Sequence, residues 1–173
     1  MPIIENMTNE DYHGENEHIS KSGLDLMARS PAHFRYAAPR ESTRAMEIGT
    51  AIHTAVLEPE RFASEYMLLK EVKDRRASAY KEAAKQYGGP NTLTGSEADK
   101  VAGMQEAVRS HRIIGDMLNH EQGKPELTVM TTDPETGVGV KCRFDWLANG
   151  AALDLKKTQD ARPAAFCKSV ANY

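Results

Sequence analysis

Two short segments, Arg143-Phe144-Asp145-Trp146 and Leu153-Asp154-Leu155-Lys156, carry an acid, a second acid and a lysine in that order. Successive side chains of a strand leave opposite faces. Asp154 and Lys156 would therefore share one face, their Cα atoms roughly 6.5–7 Å apart, with Leu153 and Leu155 on the other. A hard oxygen ligand beside a cation suits an Mg²⁺ that must also hold a phosphate. The chemistry this pattern fits is phosphodiester hydrolysis, which needs a metal to lower the pKa of a water and to neutralise charge on the phosphate. Asp145 and Asp154 are the candidate metal carboxylates, and Lys156 can orient the attacking water or stabilise the transition state electrostatically. His53 can complete the coordination sphere or position a second ion. Glu126 is a further acidic candidate at the edge of the same sheet. By itself D-x-K is a weak signal; joined to a buried-helix histidine and a strand aspartate it is much stronger.

These residues must be placed by a few elements. Residues 45–58 form the most strongly apolar helical segment, closed by Pro59, with Gly49, Ala51 and Ala55 permitting close backbone approach and Gly49 one turn before His53. Taken alone, His53 reads as a satisfied structural histidine, and only the downstream acids alter that. From Glu126 the hydrophobic period changes from helical to alternating. Glu126 to Thr131, turn chemistry at Asp133-Pro134-Glu135-Thr136-Gly137, and Val138 to Trp146 predict a hairpin. Ala151 to Lys157, after the Asn149-Gly150 turn, predicts a third strand and so an antiparallel meander. Asp145 should share a face with Arg143 and Lys141, while Cys142, Phe144 and Trp146 form the core side.

Elsewhere, residues 1–19 read as an irregular acidic lead-in, and His13 and His18 as solvated loop histidines. Ser20 caps a short helix, and Ser30-Pro31 opens another whose apolar side holds His33, Phe34, Tyr36 and Ala37. Residues 70–88 are charge-rich, and Lys73-Asp74-Arg75-Arg76 leads into Ala77 to Lys85, which predicts an exposed helix ending near Gly88-Gly89-Pro90. Lys70, Lys73, Arg75 and Arg76 there could touch DNA phosphates. Thr94-Gly95-Ser96-Glu97 matches a capping box and opens a helix through about His111, with Met104 in its apolar stripe. The expected fold is therefore α+β, of the restriction-endonuclease-like kind, with N-terminal helices on a central mixed sheet that begins with the meander. One domain spanning 1–173 is expected.

Composition excludes some classes. The chain has 173 residues, 40% apolar and 27% charged, enough for a real core. It contains no long apolar run and no signal-peptide pattern, so a cytoplasmic protein with no membrane partner is expected. Cys142 and Cys167 form no C-x-x-C pair, which excludes a disulfide framework or a four-cysteine metal site within one chain. The net charge of −3 gives no global argument for nucleic acid, although a nuclease needs only a local basic groove.

Ile48-Gly49-Thr50-Ala51-Ile52-His53-Thr54-Ala55-Val56-Leu57-Glu58-Pro59, Asp133 to Gly137, Arg143-Phe144-Asp145 and Asp154-Leu155-Lys156-Lys157-Thr158 together resemble the nuclease domain of RecE, exonuclease VIII. The likeness begins near Tyr12-His13 and Ile19-Ser20-Lys21-Ser22. It implies a PD-(D/E)xK fold of the RecB-like branch, dependence on Mg²⁺, for which Mn²⁺ can substitute, and 5′-to-3′ digestion of linear double-stranded DNA in prophage recombination. It further implies a ring-like homotetramer and a single-strand annealing partner protein. By the same likeness His53, Asp145 and Asp154 bind metal, Lys156 is catalytic, and Glu126 corresponds to an acidic position on the preceding strand. Two departures accompany it: Lys157 stands where the family more often has threonine, and the chain stops at Ala171-Asn172-Tyr173 before most of the family's second half. A fragment with uncovered apolar surface and an open sheet edge is expected. The competing readings are a catalytically silent DNA-binding or assembly module and an iron–sulfur nuclease, the latter disfavoured because a cluster takes four cysteine ligands.

Overall fold

The computed structural model describes residues 3–38, 41–148, 150–158 and 160–170. The sheet that carries the site is built from β1 (Ile3–Ile4), β4 (Lys124–Thr132), β5 (Gly139–Ala148) and β6 (Ala151–Leu153), in the order β1-β4-β5-β6. Its strand pairs are antiparallel, and a parallel bridge from Ile19 to Val140 on β5 makes the sheet mixed. A separate two-stranded parallel sheet joins β2 (Met67–Leu69) to β3 (Thr92–Thr94). Nine helices among the described residues surround these strands. They are α1 (Asn9–Gly14), α2 (Lys21–Arg29), α3 (Pro31–Arg35), α4 (Arg44–Leu57), α5 (Pro59–Glu65), α6 (Ser78–Tyr87), α7 (Gly95–Arg109), α8 (Arg112–Leu118) and α9 (Pro163–Val170). The architecture is α+β, a mixed sheet flanked by helices, as the sequence predicts. None of these helices is long and apolar enough to cross a membrane.

The core centres on α4, where Ala51, Ala55 and Val56 are fully buried. The two alanines bring α7 close enough for its side chains to reach α4's C-terminal carbonyls. Gln105 donates to Ala55 O, and Arg109 donates twice to Val56 O, at 2.9 and 2.6 Å. Those carbonyls have no partner within the helix, and a cation at a helix C-terminus also meets the negative end of its dipole. At the other end Arg44 forms a two-pronged pair with Glu97, at 2.9 and 2.7 Å, and reaches Glu47. Glu97 closes the expected capping box, accepting from Thr94 N. Both ends of α4 are thereby fixed before any site residue is considered.

Several expectations are corrected. The lead-in expected to be irregular over residues 1–19 is ordered in its described part, 3–19: β1 pairs with β4, and Thr8 caps α1, its hydroxyl accepting from Asp11 N at 3.0 Å. The helix expected to run through His111 ends at Arg109, and His111 caps α8 instead. The third strand ends at Leu153 rather than Lys157, and its turn residue Asn149 lies outside the described residues. The face pattern of β5 is also only half as expected. Trp146 is buried, its indole donating to Met117 O, but Cys142 is exposed. Lys141 is buried instead, because α1 covers that face: its ammonium donates to Tyr12 O and Glu15 O and lies 4.9 Å from the Tyr12 ring.

Candidate metal centre

Three of the five expected residues converge. His53 on α4, Glu126 on β4 and Asp145 on β5 each offer a ligand atom, and these atoms all lie within 4.8 Å of one another. His53 Nδ1 is 3.7 Å from Asp145 Oδ2. The histidine is not a closed core residue, because α4 buries one side and turns Gly49, Thr50 and His53 toward a cleft of about 540 Å³. Gly49 is part of that cleft wall rather than a helix contact: a Cβ placed on it would meet nothing within 4 Å.

Glu126 reaches the same point by a break in strand geometry. The β4–β5 register flanks it with Pro125↔Trp146 and Leu127↔Phe144, which sets Glu126 opposite Asp145. Its φ is 49°, left-handed for a side-chain-bearing residue inside a strand. Such a conformation costs of order 1–3 kcal/mol and is kept where the surroundings over-determine it. Here its effect is to bring a second carboxylate beside the first. Burial pushes the Glu126 carboxyl above its ordinary value, the Asp145 charge adds to this, and Arg143 opposes both. A pair of facing acids with one held upward in this way favours any cation that enters between them.

Arg143 is the residue whose part was least legible from sequence. Its guanidinium lies 3.6 Å from Glu126, donates to Thr128 Oγ1 and Asn9 Oδ1 at 3.0 Å each, donates to Met7 O, and lies 4.4 Å over the Tyr12 ring. It thus ties the lead-in to the sheet at the cleft's edge. The T-x-x-D pattern of Thr8 to Asp11 was the signal for that cap and hence for α1.

Asp154 and Lys156 sit apart from the three. The alternation expected of them persists beyond β6, with Leu153 and Leu155 partly buried against the core and the two polar residues outward. Asp154 is an exposed carboxylate paired with Lys156. The link to the centre runs through the backbone: Leu155 N donates to Asp145 Oδ2 at 2.5 Å. Asp154 and Asp145 also border one recess of about 320 Å³ beneath α7 and α8. His13 lines a smaller pocket beside Arg143, and His18 pairs with Glu15 at 3.2 Å. Of Lys70, Lys73, Arg75 and Arg76, none lines the cleft; Arg76 pairs with Asp74 at 2.6 Å.

Two hard carboxylate oxygens and one imidazole nitrogen at this spacing fit a divalent cation such as Mg²⁺, Mn²⁺ or Zn²⁺ by donor chemistry. An α+β fold whose mixed sheet and buried helix bring these groups together is a PD-(D/E)xK-like nuclease superfamily domain. Residues 20–173 match a family described as a PDDEXK-like domain of unknown function (DUF3799), and the chain belongs to that family. A search of curated proteins returned no match.

Proposed function

We propose that the chain is an Mg²⁺-dependent exodeoxyribonuclease acting on linear double-stranded DNA in the 5′-to-3′ direction, of the RecE kind. The observation that carries the reading is the convergence of His53, Glu126 and Asp145 at one wall of a cleft. A bound divalent ion would supply charge neutralisation and a more acidic water. The protein's own groups do the rest. Glu126 and Asp145 would hold the ion, His53 would offer its third protein ligand, Arg143 fixes Glu126, and Asp154, which borders one recess with Asp145, is the further metal carboxylate. Lys156, two residues beyond Asp154, is the group available to stabilise charge at the phosphate. By the RecE resemblance the protein works as a homotetramer with a single-strand annealing protein in phage or prophage recombination, in the cytoplasm. A second reading, a catalytically silent DNA-binding or assembly module, is favoured by one observation: Asp154 is paired with Lys156 and stands outside the three-ligand cluster.

The test is release of nucleotides from linear duplex DNA with Mg²⁺, beside EDTA, Asp145→Asn and Asp154→Ala controls. Metal-dependent release lost in all three supports the nuclease. DNA binding by the folded protein with no release supports the silent module.

A further inference from the structure

The helical pair α2–α3 is only weakly committed to the core. Neither helix has a buried residue, and the two pack chiefly on each other. Gly23 makes that contact possible, since a Cβ there would lie 3.1 Å from Phe34 Cε2 and closer still to Ile19. The pair leaves its large side chains in solvent: Leu24 is 48% exposed, Phe34 41% and Tyr36, which follows α3, 78%.

Charge decides what such a surface suits. The whole chain is net negative, yet this pair carries Lys21, Arg29 and Arg35 against the single carboxylate of Asp25, which Lys21 engages at 2.8 Å, so its excess charge lies on Arg29 and Arg35. Cationic or titratable groups alternate with rings along His33-Phe34-Arg35-Tyr36. Half-exposed and exposed rings on a helical pair that also carries Arg29 and Arg35 match a polyanion with exposed π faces, which is an unpaired nucleic-acid strand: bases stack on the rings and phosphates meet the cations. A second copy of the chain fits less well, because a two-fold contact would set the same cations against each other. Position agrees with charge. Lys21, the first residue of α2, borders a pocket of about 310 Å³ whose wall shares Asn9, Arg143 and Asp145 with the cleft of the metal centre.

We propose that the α2–α3 surface binds an unpaired DNA strand beside the metal centre, Phe34 and Tyr36 stacking on bases and Arg29 and Arg35 contacting phosphates. The choice of DNA as the nucleic acid rests on the nuclease reading above; the surface itself does not need cleavage to occur.

The test is fluorescence anisotropy of a labelled single-stranded oligodeoxynucleotide with the full chain in EDTA, run against a blunt duplex of the same sequence. Tyr36→Ala is expected to weaken single-strand binding about tenfold, and Tyr36→Phe to restore it. Arg29→Gln with Arg35→Gln should reduce the slope of log affinity against log salt by about 1.4. Both variants should melt like the wild type. Wild-type affinity and salt slope in the variants, or no strand binding by the wild type, overturns the proposal. So does an equal loss on the blunt duplex, which would leave no role for stacking. Unchanged DNA binding with loss of self-association by light scattering would assign the surface to a second copy and likewise overturn it. The two readings fail separately: strand binding that depends on the pair, with no metal-dependent nucleotide release, keeps this proposal and removes the nuclease.

Discussion

Replacing Glu126 by glutamine should separate what the metal centre does for stability from what it does for ligand binding. Two unit charges about 5 Å apart repel by a few kcal/mol at an effective dielectric of about 20, and an opposite pair at a slightly shorter distance attracts by a similar amount. Glu126 has both neighbours, Asp145 within 4.8 Å and Arg143 at 3.6 Å, so these contributions nearly cancel. What remains is the cost of burying the charge, the first cause of the raised Glu126 pKa. Glutamine keeps the shape and removes that cost. In EDTA the variant should melt within about 2–4 °C of the wild type, equivalent to roughly 1 kcal/mol at this chain length. With metal the two should part. A cation at a hundred times its Kd stabilises the wild type by about 2.7 kcal/mol, a shift of roughly 5–11 °C. The variant, left with one carboxylate and one imidazole, should show only a small part of it. Thermal melts followed by circular dichroism across an Mn²⁺ titration read both quantities. A variant that loses many degrees in EDTA, or that keeps the full metal shift, would refute the assignment of Glu126 as a ligand.

Three further outcomes follow from the geometry. Arg44 holds the Glu97 carboxyl down from 4.5 to about 2, so this pair stabilises the fold above pH 4.5 and its contribution disappears as pH falls toward 2. Glu97→Gln should cost about 2 kcal/mol at neutral pH, between exposed and buried ion pairs, and nothing at pH 2, as read by urea unfolding at the two pH values. Gly49→Ala should raise the melting temperature by about 2–4 °C, because alanine is favoured over glycine in a helix by about 1 kcal/mol and the added methyl meets only the open cleft. Asp154→Ala and Lys156→Ala, both at exposed positions, should leave the melting temperature nearly unchanged and abolish nucleotide release; retained Mg²⁺-dependent cleavage in either variant would sink their catalytic assignment.

The elements that announced themselves locally were the ones the sequence placed well. Ser20, Ser30-Pro31 and the Thr94–Glu97 box each name a helix start through groups that satisfy otherwise unpaired N–H donors, and α2, α3 and α7 begin where they indicate. The β4–β5 hairpin was legible because Asp133 and Gly137 supply turn chemistry: Asp133 Oδ1 accepts from Thr136 N at 2.8 Å, and Gly137 takes a φ of 70°. Strands β2 and β3 hold three residues each, too few to show an alternating period, and they exist because α6 and α7 bring them together. The buried Lys141 was illegible for a related reason. Which face of β5 is covered depends on α1, a six-residue helix whose Tyr12 ring lies against the Lys141 and Arg143 cations.

The site divides along the same line. His53 and Asp145 could be read because each lies in a regular element, where spacing alone tells which residues share a face. Glu126 could not be assigned with equal force, because its carboxylate reaches the centre through a left-handed backbone that no residue preference signals at a glutamate. Asp154 is the converse case: the D-x-K pattern is conspicuous in sequence, yet β6 stops one residue short of it, and its lysine takes up the carboxylate that a metal would use. The contact that joins the two halves is the Leu155 N–H on Asp145 Oδ2. The oxygen that accepts it is also the one nearest His53, so the segment bearing Asp154 and Lys156 is anchored to the same ligand that the cation would engage. A cation bound there would therefore be coupled to the placement of the lysine through one carboxylate, so the acids and the lysine are to be tested together rather than in isolation.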